Sequence, residues 1–297
     1  MSDEVWTVQK ILTWTTHYLE QNGDEHPRLS AEWLLSSVTG LSRVQLYTNF
    51  DKPLSSDERS HMREAIKRRA EGEPLQYVTG EMPFRHLVLT CEPGVLIPRP
   101  ETEILVDVAL EGVDEASESN DENSVRVLEV GVGTGCISLS IAAERQNTQV
   151  VATDISPKAI ALATRNRDAL ELQDRVLLVE CDLVEGVPEE FAHSFSVFVS
   201  NPPYIPSKVL KKDVPEEVRA FEPELALDGG EDGLDTYRRL LDAAPHMLKH
   251  GGIFCVELYE GHLDEAAQIA EQQGIWKTVT IKEDLTHRPR ILVAKLD

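Results

Sequence analysis

The sequence of 297 residues has no apolar run near the length of a membrane span, no basic and apolar start of the signal-peptide kind, and only four cysteines. The first two absences exclude a membrane-spanning helix and a secretory leader, so a soluble, cytoplasmic protein is expected. The cysteines lack the paired spacing of zinc or redox sites; they are Cys91, Cys136, Cys181 and Cys255. We therefore expect free, buried thiols in a reducing compartment and no metal site.

Basic residues are also scarce. Only 29 Lys and Arg residues oppose 52 Asp and Glu residues, which gives a formal net charge of −23. Such a chain lacks the clustered cations that bind a phosphate backbone, so direct nucleic-acid binding is not expected. Two explanations of the acidity stay open, a protein partner that is itself basic and adaptation to a high-salt cytoplasm.

Residues 1–72 predict a small helical domain. Apolar residues recur at helical spacing from Val5 to Leu19, and Pro27 to Gly40 has the proline start and glycine stop of a second helix. Ser55 and Glu58 form a capping-box pattern before a third. This bundle is too short for catalysis of its own, and we expect it to dock a protein partner; a purely structural cap is the alternative.

Residues 73–100 carry five prolines and extended runs such as His86–Leu89, which predicts a linker with a short β-hairpin. Residues 101–297 are expected to form the catalytic domain. A helix is predicted from Glu101 to about Gly112, and the acidic stretch Asp114–Ser124 predicts a solvated loop.

Beyond Ser124 strand and helix patterns alternate, which predicts an α/β fold, mostly parallel, with crossover helices. The predicted strands are Val125–Val130, Gln149–Thr153, Val176–Val179, Phe195–Ser200, Ile253–Glu257, Trp276–Ile281 and Ile291–Lys295. The predicted helices are Cys136–Arg145, Ser156–Leu170, Leu234–Lys249 and His262–Gln273. The turn between the last two strands is too short for a helix, so they should pair antiparallel at the sheet edge.

A glycine-rich turn follows the first of these strands and consists of Gly131, Val132, Gly133, Thr134 and Gly135. Its glycines permit positive φ and a close approach of the backbone to a ligand. A dinucleotide fingerprint has its third glycine one place later, where Cys136 stands. With the acid Glu129 two residues before the turn, the form is more typical of S-adenosylmethionine enzymes; an ordinary tight turn is the alternative.

Two acids follow the next two strands. Asp154 is placed to accept hydrogen bonds from the ribose hydroxyls of a cofactor. Its alternative role is a helix cap, but Ser156 before Pro157 already fits that role. Asp182 is placed to meet an adenine amino group, with Leu183 against the ring, although Asp182 fits a surface turn equally well.

The sequence Asn201-Pro202-Pro203-Tyr204 directly follows the predicted strand Phe195–Ser200. Its two prolines fix φ and supply no N–H, so the loop is rigid. The Asn201 Oδ1 atom and the Pro202 carbonyl form a pair of acceptors suited to a planar –NH₂ group, against which Tyr204 can lie. This predicts methyl transfer to an amide or amine nitrogen, catalysed by alignment rather than by a strong base; a merely rigid turn is the alternative.

These motifs resemble those of the HemK/PrmC family of release factor glutamine methyltransferases. The resemblance is carried by three segments and covers nearly the whole chain: Pro74–Gly80, Leu96–Glu103 with its Pro-Arg-Pro-Glu-Thr-Glu sequence, and Asn201–Tyr204. It implies a Rossmann-like methyltransferase sheet, S-adenosyl-L-methionine as methyl donor with S-adenosyl-L-homocysteine as product, and the glutamine of the Gly-Gly-Gln motif of class 1 peptide chain release factors as acceptor.

The resemblance also implies roles for individual residues. Gly131 to Gly135, Asp154 and Leu183 would contact the cofactor, and Asn201 to Tyr204 would hold the glutamine amide. Arg99, Glu101 and Thr102 would line the site near the methionine end. The chain departs from the family pattern at four positions, namely Glu129 in place of Asp, His86 and His287 in place of Gly, and Leu183 in place of an aromatic residue.

Two other functions compete with this one. The same loop type serves enzymes that methylate exocyclic amino groups of adenine or cytosine, but these must flip a base and hold a phosphate backbone. The acidic charge weighs against that reading. A non-catalytic binding protein with a decayed cofactor site is the other rival, and the intact turn Gly131–Gly135 with Asp154 weighs against it. A monomer is expected.

Overall fold

The computed structural model describes residues 5–119, 124–284 and 286–297. The chain divides into two compact units, Met1–Glu81 and Met82–Asp297. The predicted domain boundary at residue 72 thus falls nine residues before the division at Glu81. The difference arises because a short helix, Leu75–Thr79, packs with the helices of the first unit, where a linker was predicted.

The first unit is helical, as predicted. Its helices are α1 (Val8–Gln21), α2 (Pro27–Thr39), α3 (Arg43–Thr48), α4 (Ser56–Ala70) and α5 (Leu75–Thr79). The predicted capping box begins α4, because the Ser55 hydroxyl accepts from the Glu58 N–H at 3.1 Å and the Glu58 carboxylate accepts from the Ser55 N–H at 2.7 Å. The predicted glycine stop is also present, with Gly40 at φ 68° after α2.

The predicted hairpin, β1 (Glu81–Phe84) and β2 (Leu87–Thr90), starts at the last residue of the first unit, and the rest of the second unit is an α/β sheet with its helices. The strands of this sheet are β3 (Val125–Val130), β4 (Thr148–Asp154), β5 (Val176–Glu180), β6 (Phe195–Ser200), β7 (Leu248–Glu257), β8 (Trp276–Glu283) and β9 (Pro289–Leu296). In the described residues their order is β5-β4-β3-β6-β7-β9-β8. The first five are parallel, and β9 pairs antiparallel with both β7 and β8, which confirms the predicted fold class and antiparallel edge.

Helices cover both faces of the sheet. The helices of the second unit are α6 (Thr102–Ser119), α7 (Cys136–Glu144), α8 (Pro157–Ala169), α9 (Ser207–Lys212), α10 (Glu216–Phe221), α11 (Asp235–Met247) and α12 (Leu263–Gln272). One buried apolar cluster joins α6 and α7 to the sheet, and a second joins α11 and α12 to its other face. Burial on both faces explains why the parallel strands are mostly apolar in sequence.

The prediction for α6 was wrong at its C-terminal end. The helix does not stop near Gly112 but continues to Ser119, into the stretch predicted as a loop; residues 120–123 of that stretch lie outside the described residues. A Cβ atom on Gly112 would lie 2.3 Å from Ile253 Cδ1 and 3.1 Å from Val197 Cγ2. Gly112 therefore permits close packing of the helix on the sheet and does not end the helix.

One departure from the family pattern has a local consequence. His287, at a position where glycine was expected, has φ 60°. That left-handed conformation is one that glycine adopts without strain, whereas a residue with a Cβ atom does so at a cost. The neighbouring Leu285 lies outside the described residues.

Candidate active site

The predicted site residues meet at the carboxyl end of the parallel strands. The chain leaves β3 towards β4 and β5 on one side, whereas β6 and β7 lie on the other, so the crevice between β3 and β6 is the topological switch point. The register pairs Val130 with Ser200, which brings the two following loops side by side. A Cβ atom on Gly131 would lie 3.9 Å from the Asn201 carbonyl oxygen. The glycine turn and the proline-stiffened loop therefore form one site.

The side chain of Asp154 accepts a hydrogen bond from the backbone of the glycine turn and so fixes its conformation. Gly131, Gly133 and Gly135 all have positive φ, of 83°, 54° and 87°. The Asp154 carboxylate accepts from the Gly133 N–H at 3.0 Å and from the Ser156 N–H at 2.8 Å. Each carboxylate oxygen keeps further acceptor capacity, so these bonds leave room for the predicted ribose contact. Burial raises the pKa of Asp154, which backbone donors only partly offset.

A cavity of about 210 Å³ adjoins the turn and has the predicted nucleoside-binding residues in its wall. Asp154, Asp182 and Leu183 line it together with Gly131, Gly133 and Asn201. Asp182 accepts from the Arg239 guanidinium at 2.8 Å, a partner that the sequence patterns do not predict. Leu183 has φ 47°, and its carbonyl accepts from the Thr153 hydroxyl at 2.6 Å. Both predicted residues thus lie in the wall of one cavity.

Glu129 is fully buried beneath the turn. One carboxylate oxygen accepts from the Ser138 N–H at 2.9 Å, and the other has no hydrogen-bond partner among the described residues. Burial raises the pKa of Glu129 to about 8. A small cavity of about 40 Å³ lies beside it and is also lined by Arg99, Thr102 and Asn201. A cationic group such as an ammonium in this cavity would supply the missing donor and favour the ionised carboxylate.

Asn201 lines both of these cavities and a third, of about 620 Å³. Pro202 and Tyr204 share the wall of the third cavity, which extends between the loop and the helices α9 and α10. No described residue donates a hydrogen bond to the Pro202 carbonyl. The two residues of the predicted acceptor pair, Asn201 and Pro202, therefore line both the cavity beside the glycine turn and the larger cavity.

The side chain of Asn201 is connected through Thr102 to Glu257, a residue that the sequence analysis did not identify. Its Nδ2 atom donates to Thr102 Oγ1 at 3.0 Å, and the Thr102 hydroxyl donates to Glu257 Oε2 at 2.8 Å. The Tyr204 hydroxyl lies 3.4 Å from the other Glu257 oxygen. Burial raises the pKa of Glu257 to about 7. The available signal was an acid at the end of the predicted buried strand Ile253–Glu257, beside the strand that carries Asn201.

Residues of the Pro-Arg-Pro-Glu-Thr-Glu segment occupy different places. Arg99 lines two of the cavities, and its guanidinium donates to the buried Glu222 at 2.5 Å. Thr102 is buried at the start of α6, whereas Glu101 is exposed and lines none of the three cavities. The fold thus brings Arg99 and Thr102, but not Glu101, to the cavity walls.

The described part of the chain contains no group of three His, Cys, Asp or Glu side chains that could hold a metal ion. None of the helices in that part combines the length and apolar character that crossing a membrane requires. The four cysteines are free. Cys91 and Cys255 are buried, whereas Cys136 and Cys181 are half-buried, so the prediction of buried thiols was right for two of them.

Comparison with known proteins identifies the family. Residues 10–80 match the PrmC N-terminal domain, and residues 111–231 match the methyltransferase small domain. The chain is 43% identical to the release factor glutamine methyltransferase of Geobacter sulfurreducens, over 94% of each chain. It is 39% identical to that of Rhodopirellula baltica, over 98% of this chain and 97% of the relative.

Solved structures support the fold. The hMettl16 catalytic domain in complex with MAT2A 3′UTR hairpin 6 superimposes with a TM-score of 0.55 and 15% identity, over 81% of each chain. At that identity the likeness concerns the methyltransferase fold alone. The sequence relatives show more than the fold. Because they are 39–43% identical to this chain over nearly its full length, this chain belongs to the release factor glutamine methyltransferase family.

Proposed function

We propose that this protein transfers the methyl group of S-adenosyl-L-methionine to the side-chain amide nitrogen of the glutamine in the Gly-Gly-Gln motif of class 1 peptide chain release factors. The observation that carries the proposal is the position of Asn201. Asn201 lines both the cavity beside the glycine turn and the larger cavity, and none of the described residues donates to the neighbouring Pro202 carbonyl. In this function the protein acts in the cytoplasm as a monomer and makes no direct contact with nucleic acid.

The cofactor side of the site fits this donor. Glu129 offers the methionine ammonium group a buried carboxylate oxygen that none of the described residues contacts by a hydrogen bond. Asp154 has acceptor capacity for the ribose hydroxyls, and Asp182 with Leu183 lines the same cavity for the adenine. When bound, S-adenosyl-L-methionine supplies a methyl group that its sulfonium makes electrophilic. The turn Gly131–Gly135 would hold this cofactor, and two of its glycines, Gly131 and Gly133, line the same cavity as Asn201.

On the acceptor side, the loop holds and activates the glutamine amide. An amide nitrogen is a poor nucleophile because its lone pair is shared with the carbonyl group. Asn201 Oδ1 and the Pro202 carbonyl accept its two N–H bonds, which orients the nitrogen towards the methyl group. The same two dipoles stabilise the positive charge that develops on the nitrogen as it takes the methyl group, without any reorganisation of water. The nitrogen then releases one proton to solvent, which leaves a neutral N-methyl amide. Tyr204 and Pro203 confine the amide plane.

The deciding experiment is a methyl-transfer assay with labelled S-adenosyl-L-methionine. We expect the protein to label a class 1 release factor and not to label the factor in which the Gly-Gly-Gln glutamine is changed to Ala. Oligonucleotides of DNA and RNA serve as the second pair of substrates, because they test the rival methylation of exocyclic amino groups. Equal labelling of both release factors, or labelling of an oligonucleotide instead, would refute the proposal.

We infer that the N-terminal helical unit docks the same release factor away from its tip. An apolar groove of about 390 Å³ lies in this unit and is lined by Trp6, Ile11, Trp14, Tyr18, Met62 and Ile66. Trp14 is half exposed and stacks on Tyr18 with ring centroids 5.0 Å apart. Exposed Arg59, Arg63 and Lys67 edge the groove in a chain of net charge −23. A release-factor segment with apolar and acidic side chains fits this combination.

Replacing Trp14 tests the docking groove. We expect Trp14→Ala to raise KM for the intact release factor about tenfold with kcat little changed, since a lost aromatic anchor costs over about 1 kcal/mol of binding. Trp14→Ala should methylate a short peptide with the Gly-Gly-Gln sequence as efficiently as the wild type does. Val44→Ala, an exposed apolar residue of the same unit that does not line the groove, is the control. Equal KM values for Trp14→Ala and the control would contradict docking at the groove.

A further inference from the structure

The proposed acceptor role of Asn201 requires its amide to face one way. A carboxamide has an oxygen that accepts and an –NH₂ group that donates, and a 180° flip exchanges them with little change of shape. If the flip occurred, the –NH₂ group of Asn201 would meet the –NH₂ group of the substrate, donor against donor. Some part of the protein must therefore hold the oxygen towards the cavities.

The residues behind Asn201 supply that constraint. An ionised Glu257 can only accept, so the single hydroxyl proton of Thr102 is donated to it, at 2.8 Å. Thr102 Oγ1 can then only accept from Asn201, and the group it meets at 3.0 Å is Nδ2. The carboxylate charge thus sets the direction of the whole chain of hydrogen bonds and leaves Asn201 Oδ1 as the acceptor for the cavities.

We propose that Glu257 is a positioning residue that fixes the orientation of the Asn201 amide through Thr102 and steadies Tyr204 through its second carboxylate oxygen. This inference rests on the proposed function. Glu257 is 1% exposed and lines none of the three cavities, so it acts on the substrate only through these neighbours. Thr102 correspondingly serves Asn201 in addition to lining the small cavity beside Glu129.

Protonation of Glu257 reverses the chain. A protonated carboxyl can donate to Thr102 Oγ1, which frees the Thr102 hydroxyl to donate to Asn201 and favours the flipped amide. The groups that face Glu257 include Thr102, Tyr204, Arg290, Glu101 and the thiol of Cys136; Arg290 favours the ionised form, and Glu101 opposes it. Burial outweighs Arg290 and raises the pKa to about 7. The ionised, productive form is therefore lost as the pH falls through about 7.

The test compares kcat across pH for the wild type and three variants with intact release factor. We expect wild-type kcat to fall towards acid with a midpoint near pH 7 and about tenfold per pH unit below it. Glu257→Gln should lower kcat about tenfold and abolish this acid limb, since a neutral amide can either donate to Thr102 or accept from it. Thr102→Val should lower kcat about 30-fold or more, while Thr102→Ser, which keeps the hydroxyl, stays within about threefold of the wild type.

Direct binding separates positioning from folding. The dissociation constant of S-adenosyl-L-methionine for Glu257→Gln, at a position that lines none of the three cavities, and the melting temperature of each variant should stay close to wild-type values. An acid limb that persists in Glu257→Gln, or Thr102→Val with wild-type kcat, overturns the inference. If Glu257→Gln fails to fold, the contrast between Thr102→Val and Thr102→Ser decides alone, and equal kcat values for that pair overturn it. A wild-type protein without release-factor methylation refutes instead the proposed function, which is measured first.

Discussion

Asn201→Ala is expected to lower kcat for release-factor methylation by at least about 100-fold, a loss of about 2.7 kcal/mol of transition-state stabilisation. The substitution removes the Oδ1 acceptor, so the substrate amide loses both its orientation and one of the dipoles that stabilise its developing charge. The free Pro202 carbonyl alone cannot hold two N–H bonds in one plane. The measurement is single-turnover methyl transfer with saturating cofactor and release factor.

Cofactor binding separates this effect from a damaged site. Glu129, Asp154 and the turn Gly131–Gly135 are untouched by the substitution, so the dissociation constant of S-adenosyl-L-methionine should change by less than about fivefold. Asn147→Ala, which removes an exposed side chain that donates to Ser117, is the matched control and should retain wild-type kcat. Near-normal activity of Asn201→Ala would refute the acceptor-pair mechanism.

Gly233→Ala is expected to displace the loop Asn201–Tyr204, which Gly233 contacts, and so to lower both stability and activity. Gly233 has φ 82°, and a Cβ atom there would lie 2.5 Å from the Tyr204 carbonyl oxygen and 2.8 Å from His262 Cε1. The Tyr204 backbone cannot move freely, because hydrogen bonds hold the next residue, Ile205. Its N–H donates to the Leu227 carbonyl, and its carbonyl accepts from the Gly229 N–H. We expect the free energy of unfolding to fall by about 3 kcal/mol or more and kcat to fall over about tenfold.

A second glycine provides the control for backbone strain. Gly251 has a similar φ of 75°, but a Cβ atom on it would meet nothing within 4 Å. Gly251→Ala therefore carries only the left-handed penalty of about 1–2 kcal/mol and should leave kcat unchanged. Chemical denaturation and the methyl-transfer assay measure both variants. If Gly233→Ala and Gly251→Ala had equal free energies of unfolding and Gly233→Ala kept its activity, then Gly233 would not support the loop Asn201–Tyr204.

The sheet and its two functional loops were predictable because their determinants are local. The strands Val125–Val130 and Phe195–Ser200 have their predicted bounds, since each is a mostly apolar segment that ends at a glycine or proline loop. The alternation of strands and helices then requires a parallel sheet with both loops at one edge. The structure has the glycine turn and the loop Asn201–Tyr204 side by side at that edge.

Short helices were missed because tertiary packing stabilises them. α3 and α5 have six and five residues, too few for a periodic pattern, and α9 and α10 have six each. The prediction for the end of α6 failed for a related reason. Gly112 has the local character of a stop signal, but its role depends on Ile253, a residue far away in the sequence that packs against it.

By itself the sequence determined the family of the fold, the place of the site and the groups that face a cofactor and an amide, because apolar periodicity, glycine and proline act over a few neighbouring residues. Only the tertiary structure decided how those groups are held. Thr102 and Glu257 are 155 residues apart, and their hydrogen bond exists because α6 begins and β7 ends at the same edge of the sheet. A hydrogen bond requires two atoms to lie within about 3 Å, and spacing along a chain carries no information on that distance until the chain has folded.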